Sequence, residues 1–102
     1  MKAVSNGMAE WVAAWNENAL FADGFDEAVI GMCERFGQDP VVAYDRERCI
    51  AILAEEFSKD GEYDDKTEDA YTDAVEYFDF NVAGSYVGDN TPVFLTLWNG
   101  DA

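Results

Sequence analysis

Asp69, Asp73 and Glu76 stand four and three residues apart in TEDAYTDAVEYFDFNVAGSYVG, residues 67 to 88. On a helix this spacing lines carboxylates along one face, with backbone positions ~4.5 to 6 Å apart along the axis. One strand of B-DNA carries a charge every ~3.4 Å of axis, so the two spacings are of the same order. Glu68 and Asp79 flank the row, and eleven acids fall between residues 55 and 79 with only Lys59 and Lys66 among them. Like charges at i,i+4 each cost a helix ~0.2 to 0.5 kcal/mol, so the face is either a solvated surface held by a buried stripe or a surface that binds. As a binding face it comprises Glu62, Asp64, Asp65, Asp69, Asp73 and Glu76. It would suit the basic groove of a nucleic-acid-binding protein.

Other chemistry is thinly supplied. The chain contains no histidine, which removes the usual general base and the usual zinc ligand together. Carboxylates, two cysteines and five tyrosines remain, and no GxGxxG or Walker-type loop cradles a phosphate. Asp60, Glu62 and Asp64 occupy positions 1, 3 and 5 of a calcium-type loop, but position 6 is Asp65 where glycine is needed and position 12 is Tyr71 where glutamate is needed. Tyr77, Phe78 and Phe80, with Tyr86 beyond the turn, read as packing at a helix end or as the wall of a small-molecule pocket. No catalytic residue, metal ligand or cofactor is assigned, and a non-enzymatic binding protein is expected.

Composition sets the partner class. At 102 residues the chain makes one domain with a single core. Its formal charge of −16, from 22 acids and 6 bases, exceeds what solubility asks of a small domain. So acidic a surface disfavours nucleic acid and anionic membranes and favours basic proteins or cations, although salt tolerance is a second source of acidity. Met1 to Gly7 lacks a basic n-region followed by an apolar core, and no apolar run approaches the ~20 residues that span a bilayer, so a cytoplasmic location is expected. Cys33 and Cys49 fit neither a CxxC nor a zinc pattern and read as reduced, buried side chains.

The elements that must hold these groups follow from periodicity. Residues 5–21 read as an amphipathic helix capped by Ser5 or Asn6, with Met8, Trp11, Val12, Trp15 and Ala19 along one side. Trp11 and Trp15 either pack on the core or dock a partner or a second copy. ADGFD, 22–26, is a turn. Phe25, Ala28, Val29, Met32, Cys33 and Phe36 have helical spacing with Asp26 as cap, yet Val29 and Ile30 before Gly31 suit a short strand, the preferred reading. FGQDP, 36–40, is a second turn, and Val41 to Tyr44 starts a strand just after Pro40.

Asp45 then caps a helix from Arg46 to Lys59 that buries Ile50, Leu53, Ala54 and Phe57 with Cys49 beside them. Glu55 pairs with Lys59, and Ile52 is left on the far side as a second contact surface. A polar loop, 58–66, leads to the acidic helix, whose stripe is Tyr71, Ala74, Val75, Phe78 and Val82. Asn81 holds the following turn through its amide, and Gly84 and Gly88 end the helix by admitting positive φ. Thr91 and Pro92 open a last strand, PVFLTLW. The sum is an α+β fold in which a small sheet of two or three strands packs against two to three amphipathic helices, with 1–22 an accessory N-terminal helix and 25–98 the core.

FDEAVIG, FGQ, VVAYDRERCIAIL and EYFDFNVAGSYVGDNTPVFL, in that order, resemble the pattern of an uncharacterised family of short bacteriophage hypothetical proteins, from about Phe25 to Leu95. The resemblance implies a phage or prophage setting and brings no catalytic residue. The N-terminal helix and the acids of 60–69 depart from the pattern, which makes the acidic loop a candidate for this chain's own specificity. The expectation is an acidic phage-type protein that binds and inhibits a basic, nucleic-acid-binding host protein. The alternatives are an assembly module built on Trp11 and Trp15, and a small-molecule or Ca²⁺ binder.

Overall fold

The structure is a computed structural model that describes residues 6–59 and 66–98, with side chains over 7–58 and 70–98. In chain order it contains α1 (Asn6–Trp15), a 3₁₀ turn (Asp26–Ala28), β1 (Val29–Arg35), β2 (Gln38–Asp45), α2 (Arg46–Lys59), α3 (Lys66–Tyr77), a π turn (Phe78–Val82) and β3 (Val93–Leu95). The strands form one sheet in the order β1-β2-β3, the first pair antiparallel and the second parallel. The fold is α+β, as the periodicity predicts.

Strict alternation along β1 would put Val29 and Met32 on opposite faces, since they are three residues apart. Both nevertheless pack against the core. A bulge between Val29 and Gly31 absorbs the extra residue, pairing Val29 with Tyr44 and Gly31 with Ala43. The helical spacing of Phe25, Ala28, Val29 and Met32 is therefore real as a burial pattern, but a 3₁₀ turn followed by a bulged strand produces it. Phe36, the last member of that set, is fully exposed at the hairpin tip, where Gly37 takes φ 83°.

β2 begins at Gln38 and not at Val41, so only Phe36 and Gly37 form the turn. Pro40 is tolerated because it lies in a second bulge, between the pairs Cys33↔Val41 and Arg35↔Gln38, where a ladder bond is already interrupted. Val42 and Tyr44 point into the main core with Ile50, Leu53, Ala74 and Phe78, while Val41 and Ala43 are buried on the opposite face. Around Tyr44 and Phe78 the rings of Phe25 and Phe94 close the cluster, with Phe78 and Phe94 edge-to-face at 5.0 Å between centroids.

α2 starts where predicted: Asp45 Oδ1 accepts from the backbone N–H of Glu47 at 3.1 Å and of Arg48 at 3.4 Å. Cys49, Ile50 and Leu53 are buried as its stripe requires. Ile52 is not a free far-side residue; it is half-buried and packs against the core margin. The Lys59 side chain lies outside the described residues, and with it the proposed pair with Glu55.

α1 stops at Trp15, six residues short of the helix predicted to Phe21. The cause is Asn16, whose Oδ1 accepts from the N–H of Asn18 at 3.0 Å, a side-chain turn that competes with the next helical bond. Its Nδ2 donates to Pro40 O at 2.8 Å and to Asn90 Oδ1 at 2.9 Å. Residues beyond it are irregular but anchored: Leu20 N–H donates to Asn90 O at 3.2 Å, and Ala22 N–H donates to the Tyr44 hydroxyl at 2.7 Å.

The acidic helix also changes form. After Tyr77 it widens, and Ala83 N–H donates to Phe78 O at 2.8 Å. Asn81 Nδ2 donates to Tyr77 O at 3.2 Å, the turn-holding role expected of it. Gly88 takes φ 113°, but Gly84 does not take positive φ; a Cβ there would come within 3.0 Å of Asp79 O and 3.1 Å of Phe80 O. Space, not handedness, requires that glycine. β3 is three residues and not the seven of PVFLTLW, because its register ends at Asp45↔Leu95, where β2 turns into α2 and offers no further partner.

Candidate functional site

α3 places its carboxylates by what it buries. Ala70, Ala74 and Phe78, each four residues from the next, are fully buried, and α3 packs on α2, so Asp73 and Glu76 are carried outward and stand exposed. Asp69 belongs to the same helix, but its side chain lies outside the described residues. Glu62, Asp64 and Asp65 also lie outside them, as does the calcium-type pattern at Asp60, Glu62 and Asp64. Among the described residues, no group of three or more Cys, Asp or Glu is arranged to hold a metal ion.

Two acids near this row are engaged locally. Asp79 Oδ1 accepts from Arg46 Nη2 at 2.7 Å, and Arg46 Cζ lies 5.5 Å from the centroid of the Phe78 ring. An exposed ion pair adds only ~0–1 kcal/mol to stability, but it balances the charge of Asp79. Glu47 accepts from the Tyr71 hydroxyl through both oxygens, at 3.1 Å and 3.4 Å. Desolvation and then this carboxylate raise the Tyr71 pKa. Tyr71 is 42% exposed, so it edges the predicted stripe instead of filling it; its hydroxyl needs an acceptor that the core does not offer.

The fold brings together a second carboxylate set that sequence reasoning did not single out. Asp23, Asp26 and Glu27, on the segment entering β1, and Glu55 and Glu56 of α2 line one groove of about 680 Å³. Phe25, Ile52, Leu53, Tyr77 and Val82 line the same groove. The signal was present in ADGFDE and in the doubled glutamate of AEEF, but only the packing of the 3₁₀ turn on α2 puts them on one rim.

Trp11 and Trp15 sit one turn apart on α1, edge-to-face at 6.5 Å between centroids. Each is 47% exposed, whereas Val12 between them is 2% exposed and anchors the helix to the core. Both thiols are free, as read from spacing. Cys49 is buried, and burial, with a smaller push from the Asp45 charge, raises its pKa to about 12. Cys33 departs from expectation in being only half-buried, although its ladder partner Val41 on the same face of the sheet is buried.

The aromatic group at the end of α3 does not hold together. Phe78 is fully buried, but Tyr77, Phe80 and Tyr86 are exposed, and Tyr77 at the end of α3 meets Phe57 edge-to-face at 5.8 Å between centroids. A pocket of about 320 Å³ does open nearby, lined by Phe21, Phe25, Val82, Val87, Pro92 and Phe94, and it uses none of those four rings. Among the described residues no helix is long and apolar enough to cross a membrane. No family model, curated protein or solved structure matches the chain.

Proposed function

We propose that this chain is a non-enzymatic binding protein whose partner is a basic, nucleic-acid-binding protein, and that it inhibits that partner by occupying the surface that otherwise holds phosphates. The observation that carries the reading is the exposure of Asp73 and Glu76 on α3, whose Ala70 and Ala74 are buried. The formal charge of −16 supplies long-range attraction to a basic surface and disfavours direct contact with nucleic acid. A non-enzymatic role is supported by the absence of histidine and by Cys49, whose buried thiol at about 12 is a poor nucleophile. In the phage setting that the resemblance implies, the target is a host factor in the bacterial cytoplasm.

The test is capture of a nucleic-acid-binding protein from bacterial lysate on the immobilised chain, followed by a challenge with duplex DNA. DNA should displace the retained protein, rising salt should weaken retention, and the variant Asp73→Lys/Glu76→Lys should lose it. Retention that ignores DNA, salt and charge reversal overturns the reading.

The half-exposed pair Trp11 and Trp15 favours a second reading, an assembly module that docks a partner or a second copy through α1. Sedimentation should then show concentration-dependent association that Trp11→Ala/Trp15→Ala abolishes and salt does not.

A further inference from the structure

The pocket lined by Phe21, Phe25, Val82 and Phe94 is bounded by parts of the chain far apart in sequence: the irregular stretch before the 3₁₀ turn, the π turn, and the segment that leads into β3. Its volume of about 320 Å³ lies at the lower end of the range for small-molecule sites, enough for an aromatic ring with a short arm. Asn81, Val82 and Ser85 line it from the π turn and the residues just after, and a widened turn of this kind is frequent at functional sites.

Four polar side chains also line the pocket: Asp23, Asn81, Ser85 and Thr91. Three of them already donate to the chain's own carbonyls. Asn81 Nδ2 donates to Tyr77 O at 3.2 Å, the Ser85 hydroxyl to Asn81 O at 3.4 Å, and the Thr91 hydroxyl to Gly88 O at 2.6 Å. Thr91 Oγ1 in addition accepts the Val87 N–H at 2.9 Å. Apart from the second Asn81 amide hydrogen, what these side chains still offer is accepting capacity. Among the described residues neither Asn81 Oδ1 nor the Asp23 carboxylate has a donor, and no lysine or arginine lines the pocket.

An apolar wall beside a carboxylate and an amide oxygen suits a ligand with an apolar body and a positively charged donor. An anionic ligand would meet Asp23 as a like charge, and a bare hydrocarbon would leave both acceptors unused. The geometry points to this pocket as a binding site for a small amine with an apolar body, such as an arylalkylamine. Its ring packs against Phe25, Val82 and Phe94 while its ammonium group donates to the Asp23 carboxylate, with Asn81 Oδ1 as a second acceptor. The site goes beyond the basic-partner reading and does not rest on it, since none of its residues belongs to the row on α3.

Titration of the full chain, followed by NMR of its backbone amides, tests the site with three probes of similar shape: 2-phenylethylamine, 2-phenylethanol and phenylacetate. The amine should shift the amides of residues 20–25 and 81–91 to saturation. It should bind about tenfold more tightly than the alcohol, the factor carried by one charge-assisted hydrogen bond, and phenylacetate should not bind. Asp23→Asn, at an exposed position, should bring the amine down to the affinity of the alcohol. Val87→Trp, at another exposed position lining the pocket, should close it to both. Asp73→Lys/Glu76→Lys should leave the ratio of amine to alcohol intact, which separates the pocket from diffuse attraction to an acidic chain. Equal affinity for amine and alcohol, or an amine preference that survives Asp23→Asn, overturns the site. So do amine shifts that never saturate at these residues or that scatter over the acidic surface and vanish with salt.

Discussion

The side-chain amide of Asn16 donates to Oδ1 of Asn90 across 2.9 Å, joining the end of α1 to the loop that precedes β3. Nδ2 also donates to Pro40 O at 2.8 Å, so both amide hydrogens are spent inside a nearly closed site. Asn16→Ala leaves two acceptors without their donor and should cost ~1–3 kcal/mol. In a domain of this size each kcal/mol lowers Tm by ~4–8 °C. Asn16→Asp should cost more than alanine, because it sets an acceptor-only carboxylate against two oxygens. Thermal unfolding followed by circular dichroism ranks the three proteins, and an unchanged Tm for both variants would deny Asn16 its joining role.

Tyr44 makes a comparable link from inside the core, its hydroxyl accepting the Ala22 N–H at 2.7 Å. Tyr44→Phe keeps the ring against Phe94 but leaves that N–H without its partner, at ~1–3 kcal/mol. Urea unfolding should show a lower midpoint with an unchanged slope.

Burial raises the pKa of Tyr44 from 10.0 to about 12, above the opposing effect of the Ala22 bond, and raises Cys49 from 9.0 to about 12. Each group is an acid that holds its proton more tightly when folded, so the unfolded chain binds fewer protons in this window. The stability they contribute is complete below the unfolded values and is lost as pH rises from about 9 toward 12. Tm measured across that range should fall, and Tyr44→Phe should flatten the part of the fall above pH 10.

The two thiols should separate kinetically. A thiol-reactive dye should label half-buried Cys33 in the folded protein, while buried Cys49 reacts only after denaturation. Mass spectrometry of the labelled peptides reads the order directly, and equal rates in the native protein would contradict the assigned burial.

The start and buried stripe of α2 were legible, because Asp45 is a strong cap and Cys49, Ile50 and Leu53 repeat at helical spacing, whereas Ile52 was placed on the far side and packs against the core margin. The strand at 29–35 was harder, since its bulge reproduces helical burial at Val29 and Met32. The length of α1 was misread because apolar spacing continues to Ala19, and nothing local announces that Asn16 will find Pro40 and Asn90 far along the chain. The outward carboxylates of α3 were visible in their spacing, whereas the rim joining Asp23, Asp26 and Glu27 to Glu55 and Glu56 depends on tertiary packing that periodicity does not encode. Asp79 joined the row on paper, but Arg46 lies far from it in sequence and claims it in space.

The parallel pairing of β2 with β3 divides the sheet into a local half and a remote half. The β1–β2 hairpin closes through a two-residue turn and can form in the first microseconds of folding, whereas Ala43 meets Val93 only after the intervening chain, α2 and α3 included, has been drawn into a loop. The chain must bear that loop-closure entropy before three short residue pairs return anything for it. Sheet completion should therefore be the late event in folding, so substitutions in β3 should speed unfolding while leaving the folding rate almost unchanged.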